Sequence, residues 1–355
     1  MKEGWIVKKL GEVCEILDSL RKPVTKKDRR EGIYPYYGAS GIQDYVDSYI
    51  FDGRYLLVGE DGAKWGASDK SAYIIEGKSW VNNHAHILKV NSIINDKLLE
   101  YYLVFKDLSE YITGAIVPKL TQQALRSIPI PIPPLPEQSR IVEELDLLSN
   151  IIEKKRQQLS ELDNLAQSIF YDMFGDPNSN DKNWERVKFD SICKNLDCER
   201  KPITAKDRLK GNIPYYGASG IVDYVKDYIF DGDFLLISED GANLSVRHTP
   251  IAFRITGKTW VNNHAHIVQF DDIISMLFVE YYINLLDISD LITGCAQPKL
   301  TQANLNNILI FDVPLKLQQF FAQKIESIEQ QKALIKQSIA ETEELFNSKM
   351  DYYFN

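Results

Sequence analysis

The chain contains one stretch of sequence twice, and this duplication decides its organisation. Arg21–Ala63 reads RKPVTKKDRREGIYPYYGASGIQDYVDSYIFDGRYLLVGEDGA, and Arg200–Ala242 reads RKPITAKDRLKGNIPYYGASGIVDYVKDYIFDGDFLLISEDGA. The two stretches are identical at 30 of 43 positions, without a gap, at an offset of 179 residues. Two copies of one module in a single chain imitate a homodimer. Such a chain suits a target with two half-sites, and duplex DNA is the commonest target of that kind.

The repeat continues beyond these stretches after one inserted residue. Trp80–His86, with the sequence WVNNHAH, recurs as Trp260–His266, and Pro118–Gln122, with the sequence PKLTQ, recurs as Pro298–Gln302. The repeating unit is about half of the 355 residues, which is far longer than the repeat of a solenoid. The sequence therefore predicts two duplicated domains, each with a core of its own.

The composition is that of a soluble globular protein, with 44% hydrophobic residues. No apolar run approaches the ~20 residues that a membrane span needs, so we expect no membrane partner. Cys14 and Cys193 are repeat equivalents, whereas Cys198 and Cys295 have no counterparts. This pattern is not a disulfide framework, and it predicts a cytoplasmic location.

The net charge of −9 disfavours a simple nucleic-acid binder. Each copy nevertheless carries one basic cluster. The first cluster contains Arg21, Lys22, Lys26, Lys27, Arg29 and Arg30, and the second contains Arg200, Lys201, Lys206, Arg208 and Lys210. Two interpretations remain open, a solvated loop and a local surface that contacts phosphates.

Each copy reads as a mixed globular part followed by a long helix. Tyr55–Val58, Ala72–Ile75 and His84–Leu88 have the composition of short strands, and Asp96–Leu108 has helical periodicity. The proline-rich stretch Pro129–Pro136 should contain no helix.

Two long heptad patterns predict a coiled coil, because their apolar residues recur in alternating steps of four and three. The first pattern comprises Ile141, Leu145, Leu148, Ile152, Lys155, Leu159, Leu162, Ala166, Ile169 and Met173. The second comprises Phe321, Ile325, Ile328, Lys332, Ile335, Ile339, Thr342 and Phe346. Each pattern includes one lysine. We expect the two helices to pack against each other in antiparallel fashion.

The predicted fold class is therefore α+β: two similar mixed domains, separated by two long helices in an antiparallel coiled coil, with pseudo-two-fold symmetry. The expected segments are a first globular domain at 1–136, a first long helix at 137–177, a second globular domain at 178–315 and a second long helix at 316–355.

Several short motifs have both a structural and a functional interpretation. The glycine loops Tyr37–Gly41 and Tyr216–Gly220 match neither a dinucleotide loop nor a hydrolase elbow, and tight turns are the favoured interpretation. The two His-Ala-His sequences suggest zinc, but no cysteine pair with metal spacing accompanies them, so satisfied strand histidines are favoured and no metal is expected. The asparagine pairs Asn82-Asn83 and Asn262-Asn263 suit either adenine recognition or a turn.

The copies diverge in one loop. Lys64–Glu76 and Asn243–Thr256 differ in sequence and by one residue in length, between flanks that are nearly identical. A constant scaffold with a divergent loop is how a module changes what it recognises, although neutral drift would give the same pattern. No P-loop, catalytic triad or methyltransferase tetrapeptide is present, so we expect neither an enzyme nor a cofactor in this chain.

The segments Ile132–Gln138 (IPPLPEQ) and Leu162–Asp176, together with the EDGA, WVNNHAHI and PKLTQ motifs, resemble the DNA-specificity subunit of type I restriction–modification systems. The resemblance covers nearly the whole chain, twice. It implies two target-recognition domains that each read half of a bipartite target, and long helices that set the spacing. It also implies two methyltransferase subunits as partners, which bind S-adenosylmethionine, and in some systems restriction subunits.

Two features depart from the usual family pattern. The recognition domains of the family are usually dissimilar, whereas here they are close to copies, so we expect a near-palindromic target in double-stranded DNA. The second helix begins at Pro314–Gln319 (PLKLQQ), a weaker version of the PPLPEQ motif. Other classes also remain open: the recognition subunit of a related two-component restriction enzyme, a two-headed adaptor for proteins or glycans, and a cryptic hydrolase or nuclease.

The residues that we expect to contact DNA lie in the basic clusters, the divergent loops and the repeated motifs. In the first copy they are Arg21, Lys22, Lys26, Lys64, Trp65, Asn82, Asn83, Lys119, Thr121 and Gln122. In the second copy they are Arg200, Lys201, Asn243, Arg247, His248, Asn262, Asn263, Lys299, Thr301 and Gln302.

Overall fold

The computed structural model describes residues 3–114, 116–294 and 296–355, so Cys295 lies outside the described residues. The chain forms two compact units: residues up to Arg156 with Gln337–Asn355, and Gln157–Lys336. These units differ from the expected segments 1–136, 137–177, 178–315 and 316–355, because part of each long helix belongs to each unit.

Among the described residues, the first unit contains ten strands, three complete helices, the first part of a long helix that runs on into the second unit, and the last part of another long helix, Leu315–Phe354. The strands are β1 (Ile6–Lys9), β2 (Cys14–Ile16), β3 (Glu31–Gly38), β4 (Gly41–Val46), β5 (Phe51–Gly59), β6 (Ala72–Val81), β7 (Ala85–Val90), β8 (Ile112–Thr113), β9 (Lys119–Leu120) and β10 (Pro129–Ile132). The helices are α1 (Leu10–Val13), α2 (Asp96–Phe105), α3 (Gln122–Ser127) and α4 (Leu135–Phe174).

The second unit repeats this order with two differences: a 3₁₀ helix, Phe189–Ser191, takes the place of α1, and the divergent loop contains a short helix, Asn243–Val246. Its strands are β11 (Arg186–Lys188), β12 (Lys194–Asn195), β13 (Lys210–Gly217), β14 (Gly220–Val225), β15 (Phe230–Ser238), β16 (Ala252–Val261), β17 (Ala265–Gln269), β18 (Ile292–Thr293), β19 (Lys299–Leu300) and β20 (Leu309–Phe311). Its helices are α5 (Asn243–Val246), α6 (Ile273–Leu285), α7 (Gln302–Asn306) and α8 (Leu315–Phe354).

Each unit is built around one six-stranded sheet, and the two sheets have the same strand order. The order is β2-β7-β5-β6-β3-β4 in the first unit and β12-β17-β15-β16-β13-β14 in the second. Neighbouring strands are antiparallel, apart from a short parallel pairing of β3 with β6 and of β13 with β16. Side chains alternate along β5: Leu56 and Val58 join the main core, and Leu57 joins a smaller core.

The strands at the centre of the sheet were predicted correctly, although most run longer than expected. One prediction was wrong in detail: His84 lies in a turn, and strand β7 begins at Ala85. Helix α2 ends at Phe105 rather than at Leu108.

The proline-rich stretch Pro129–Pro136 was expected to contain no helix, and this prediction is wrong at its C-terminal end. Pro129–Ile132 forms a strand that pairs with β1, but helix α4 already begins at Leu135 and includes Pro136. Proline is accommodated there because the amide groups of a helical first turn have no intrahelical partner.

The glycine loops are tight turns, as favoured from the sequence. Gly38 pairs with Gly41 at the end of the β3–β4 hairpin, and Gly217 pairs with Gly220 in the second unit. Gly41 has φ +128° and Gly220 has φ +124°, a backbone conformation that other residues rarely adopt.

The long helices pair in antiparallel fashion within each unit, because early residues of one helix contact late residues of the other. In the first unit, Ile141 and Leu145 of α4 share a core with Met350 and Tyr353 of α8. The ammonium group of Lys155, the charged residue in the first heptad pattern, donates hydrogen bonds to Ser338 Oγ (2.5 Å) and Thr342 Oγ1 (3.3 Å). The expected fold, two mixed sheet domains with an antiparallel pair of long helices, is confirmed.

In the second unit the same pairing holds, with a wider apolar stripe than the heptads predicted. Phe170 and Phe174, which the heptad pattern omits, are fully buried against Phe321. Lys332, the charged residue in the second pattern, forms an ion pair with Asp163 (2.7 Å). Among the described residues, no helix combines the length and the apolarity that crossing a membrane requires.

Candidate nucleic-acid interface

The repeated motifs of the first unit meet in one cluster of charged side chains. Glu60 accepts from Arg21 Nη1 (2.6 Å) and from Lys119 Nζ (2.6 Å), so both of its carboxylate oxygens are engaged. Asp18 Oδ2 lies 2.6 Å from Nδ1 of His86 and 3.4 Å from Nη2 of Arg21. The cluster therefore joins a 3₁₀ helix, Asp18–Leu20, to strands β7 and β9 and to Glu60, which directly follows β5. We call it the ion network.

The hydrogen bonds of His86 hold its ring between two segments. Nδ1 faces the carboxylate of Asp18, and Nε2 lies 2.8 Å from the carbonyl oxygen of Leu120. A carbonyl oxygen only accepts, so Nε2 donates to Leu120, and Nδ1 shares a hydrogen bond with Asp18. The ion network therefore joins three basic side chains, Arg21, His86 and Lys119, to the two carboxylates.

The network keeps Asp18 ionised. Burial would raise the pKa of Asp18, but the hydrogen bond from His86 and the charges of His86 and Arg21 outweigh it, so the net shift is downward. The main-chain amide of Ile87 also donates to this carboxylate (3.1 Å). A buried carboxylate held by this many donors stays charged at neutral pH.

The second unit contains the same network. His266 Nδ1 lies 2.5 Å from Asp197 Oδ2, and its Nε2 lies 2.8 Å from the carbonyl oxygen of Leu300. Arg200 and Lys299 contact the two oxygens of Glu239 at 2.7 and 3.0 Å. The pKa of Glu239 is lowered, because hydrogen bonds from Arg200 and Lys299 outweigh the effect of burial.

The network also brings potential metal ligands together. Asp18, Glu60 and His86 offer three ligand atoms within 4.8 Å of one another, as do their equivalents in the second unit. In this structure these side chains are engaged with protein groups: His86 bonds to Asp18 and to the carbonyl oxygen of Leu120, and both oxygens of Glu60 accept from cations. Satisfied histidines, the interpretation favoured from the sequence, account for these contacts.

The structure divides the basic clusters into internal and exposed members. Arg21 has a side chain that is 12% exposed and donates to Glu60, Asp18 and the carbonyl oxygen of Ala85, and Arg200 does the same in the second unit. These two arginines have a structural role rather than the predicted phosphate contact. Lys22, Lys26 and Lys201 are exposed, and their contact with phosphate stays a prediction.

Each asparagine pair likewise has one buried and one exposed member. Asn82 is 2% exposed, accepts from the amide of His84 (2.8 Å) and donates to Gln43 (3.1 Å). Asn262 is also buried and accepts from the amide of His264 (2.8 Å). Both therefore form turns, which is the structural alternative, rather than the predicted adenine contact.

The following residues, Asn83 and Asn263, are exposed, and for them base contact stays a prediction. His84 and His264 are about half exposed, and each contacts an aspartate of the EDGA motif, Asp61 or Asp240.

The divergent loops pack against the ends of helices α2 and α6. Trp65 is 7% exposed and donates to the carbonyl oxygen of Gly59 (3.0 Å), so it is a core residue rather than the predicted DNA contact. Arg247 donates to the carbonyl oxygen of Leu286 (3.0 Å), and burial lowers the pKa of its guanidinium group. The amide of Asn243 is bonded within its loop to Thr249.

Two predicted residues of these loops, Lys64 and His248, are exposed, and their role at DNA stays a prediction.

The PKLTQ motifs are partly structural. Thr121 and Thr301 are the N-caps of α3 and α7, and their hydroxyl groups accept from the amides of Ala124 and Asn304 (3.2 Å each). Lys119 and Lys299 belong to the ion networks, but their side chains remain 43% and 48% exposed.

The two glutamines of these motifs differ. Gln122 is exposed and donates to Asp18 (3.2 Å), and Gln302 is exposed. For both, DNA contact stays a prediction.

Comparison with known proteins identifies the family. The model of the type I restriction–modification DNA specificity domain matches residues 2–164 and again residues 181–344. The chain belongs to the family of type I restriction–modification DNA specificity domains. The recognition made from the sequence is thereby confirmed.

Curated relatives agree with this membership over part of their length. A Haemophilus influenzae protein described as a type I restriction enzyme specificity subunit is 41% identical over 142 residues, which are 40% of this chain and 37% of the relative. The MjaVIII specificity subunit of Methanocaldococcus jannaschii is 24% identical over 179 residues, which are 48% of this chain and 42% of the relative. The matches thus span about two fifths of the length of these relatives.

Solved structures support the fold of this specificity chain. The S subunit of a type I system from M. genitalium has a TM-score of 0.59 at 13% identity, over 98% of this chain and 95% of the other. A structure concerned with complex assembly and conformational transition of the type I system has a TM-score of 0.53 at 15% identity, over 100% and 98% of the two chains.

Sequence reasoning missed part of this specificity chain's surface. Strands β8 and β9 pair with each other, and the described residues between them include Ile116 and Val117, which are 95% and 62% exposed. We call residues 112–114 and 116–120 the first finger, and residues 292–294 and 296–300, which include β18 and β19, the second finger. A signal was available in the sequence, since the residues at the two tips differ between identical flanks.

The ion network should make the first unit sensitive to acid through Asp18. A carboxylate with a lowered folded-state pKa contributes stability above its unfolded-state pKa, about 3.9, and loses it as the pH falls through the folded-state pKa. The substitution Asp18→Asn removes this titration, so the loss of stability below about pH 4 should become shallower. At pH 7 the variant should be less stable by about 1–3 kcal/mol, because His86 loses its carboxylate partner, whereas Arg21 keeps Glu60.

Thermal unfolding followed by circular dichroism between pH 3 and pH 7 measures both effects. Asp52→Asn is the matched control, because Asp52 is exposed and its carboxylate accepts no hydrogen bond from a described residue. An Asp18→Asn variant with the parental melting temperature and acid profile would show that the network does not stabilise the unit.

Proposed function

We propose that this chain is the non-catalytic DNA-recognition subunit of a type I restriction–modification complex. Each unit reads one half of a bipartite, near-palindromic target in double-stranded DNA. One observation carries the proposal: the family model matches each half of the chain separately, and each half folds with the same strand order and the same ion network. Two recognition units with such similar structures should prefer similar half-sites in inverted orientation.

Catalysis in this proposal belongs to partner proteins. Two methyltransferase subunits dock on the chain, and a restriction subunit joins in systems that have one. S-adenosylmethionine binds to the methyltransferase, so the chain itself needs no cofactor. Exposed leucines at equivalent helix positions support two similar docking surfaces, namely Leu135 with Leu315 and Leu165 with Leu345. Such a complex acts on cellular DNA, which is consistent with the proposed cytoplasmic location.

The exposed lysines supply the phosphate contacts in this proposal. Lys22 and Lys201 directly follow the structural arginines, and the carbonyl oxygen of each accepts from a tryptophan, Trp80 or Trp260 (2.6 Å). The backbone that carries these lysines is therefore fixed. The interior arginines hold the loops in place, and the neighbouring lysines meet the DNA.

Mapping of methylated sites tests the proposed function. DNA from a host that expresses the chain with its methyltransferase should carry methylation at one bipartite motif. Its two half-sites should be similar, inverted and separated by a nonspecific spacer. Two unrelated half-sites would contradict the near-palindromic target, and methylation without any sequence preference would contradict the recognition function.

The salt dependence of binding tests the phosphate contacts. Lys22→Ala/Lys26→Ala should weaken binding to all sequences and reduce the log–log salt slope by roughly one unit per lost contact. Binding is measured by fluorescence anisotropy over a series of salt concentrations. The double variant should keep the parental melting temperature, because both side chains are exposed.

A matched control neutralises two exposed lysines elsewhere. Lys89→Ala/Lys154→Ala removes the same charge from β7 and α4 and should keep the parental slope. If Lys22→Ala/Lys26→Ala also keeps the parental slope, the basic cluster is a solvated loop.

A further inference from the structure

The two fingers have the same framework. In the first finger Ile112 pairs with Leu120 and Thr113 with Lys119, and in the second finger Ile292 pairs with Leu300. The base of the first finger is anchored in the unit, because the amide of Leu120 donates to the carbonyl oxygen of Glu60 (2.8 Å). His86 donates to the carbonyl oxygen of the same leucine (2.8 Å). The ion network therefore fixes each finger at its base.

The glycine that precedes each tip has a similar backbone conformation in both fingers. Gly114 has φ +94° and Gly294 has φ +84°. A side chain on either glycine would place its Cβ atom 2.4 Å from the carbonyl oxygen of Val117 or 2.5 Å from that of Gln297. Only glycine permits this close approach, so both fingers require a glycine at this position.

The side chains at the tips differ in chemistry although their framework is constant. Both sequences read ITG before the tip and PKLTQ after it, but Ile116 and Val117 correspond to Ala296 and Gln297. All four residues are exposed. Ile116 is 95% exposed, and the side-chain amide of Gln297 forms no hydrogen bond with a described residue.

The fingers adjoin the other segments in which the copies differ. Asp61 bridges to Lys119 in the first unit, and the amide of Gly241 donates to the carbonyl oxygen of Pro298 in the second (3.0 Å). The divergent loops begin two to three residues after Asp61 and Gly241. The finger and the start of the divergent loop therefore lie side by side on a constant support.

We propose that the finger tips contact base edges in the major groove and set a difference between the two half-sites. Ile116 and Val117 favour thymine, whose C5-methyl group offers an apolar contact, and Gln297 favours adenine, whose N6 and N7 atoms pair with a side-chain amide. This inference rests on the proposed DNA-recognition function.

Three observations favour DNA as the partner of the tips. A two-stranded hairpin fits the major groove of B-DNA. Lys119 and Lys299 lie at the finger bases with nearly half of their side chains exposed, where they can meet phosphates beside the groove. The tip residues also have the two kinds of chemistry by which side chains recognise bases. The first tip carries an apolar pair, and the second carries the exposed amide of Gln297.

Exchange of the tips tests the inference. Ile116→Ala/Val117→Gln gives the first finger the described tip residues of the second, and Ala296→Ile/Gln297→Val does the reverse. Both variants should fold, because the chain already carries each pair of residues on the same framework. The readouts are methylated-site mapping with the methyltransferase present, and competition binding with duplexes that differ at single bases.

Each exchange should change one half-site at one or two adjacent positions and leave the other half-site unchanged. The preference for the affected base should shift by about 10- to 100-fold, which is the range of one good base contact. The combined variant should show the parental preferences exchanged between the half-sites. Ile33→Ala, which alters another exposed isoleucine of the first unit, should leave the motif unchanged.

The outcomes separate the inference from the proposed function. If the parent reads a bipartite motif and both exchanges preserve it, the tips do not read bases, and the recognition function stands. If the exchanges weaken assembly with the methyltransferase but leave base preference unchanged, the tips bind protein and the inference is overturned. If the parent itself has no sequence preference, both proposals fail together.

Discussion

A buried network of opposite charges holds together the parts of each unit that face outward. In the first unit Asp18 and Arg21 come from one segment of the chain, and Glu60, His86 and Lys119 come from three others. Removing either carboxylate takes a partner from two basic side chains at once, because Asp18 contacts His86 and Arg21, and Glu60 contacts Arg21 and Lys119. Such a loss inside the unit is more costly than the loss of an exposed ion pair. The hairpin base, the EDGA turn and the N-terminal segment are thereby fixed relative to the sheet.

This network explains why the repeated motifs are alike in the two copies, while nearby positions differ. The repeated residues Arg21, Glu60, His86 and Lys119 supply the support, and their equivalents do the same in the second unit. The finger tips and the divergent loops adjoin the ion network in the chain, but their variable side chains are not members of it. A side chain there can change without altering the fold, which is the property that a recognition surface needs.

Much of the fold could be predicted from the sequence, because duplication and periodicity are visible in it. The heptads located the long helices, and their two lysines proved to be paired across the helices. The identity of the copies predicted equal domains. Phe170 and Phe174 were missed because a strict heptad omits the wider stripe that a helix buries against a globular domain.

The site could be predicted only in part, because sequence does not show which polar groups are satisfied inside the fold. Arg21 looked like a phosphate contact, yet its main partner Glu60 is 39 residues away in the chain. Asn82 and Trp65 likewise have their partners within the unit. The finger tips were not predicted as site residues, because alanine, isoleucine, valine and glutamine carry no charge and form no known motif.

The central claim is that each unit recognises its own half-site through residues attached to the same framework. A chain with two identical units tests this claim most directly. Residues 181–314 would be replaced by a second copy of residues 2–134, and methylated sites would be mapped with the methyltransferase present. We predict a perfect inverted repeat of the first unit's half-site. A folded, assembled chimera that still methylates the parental asymmetric motif would contradict the account.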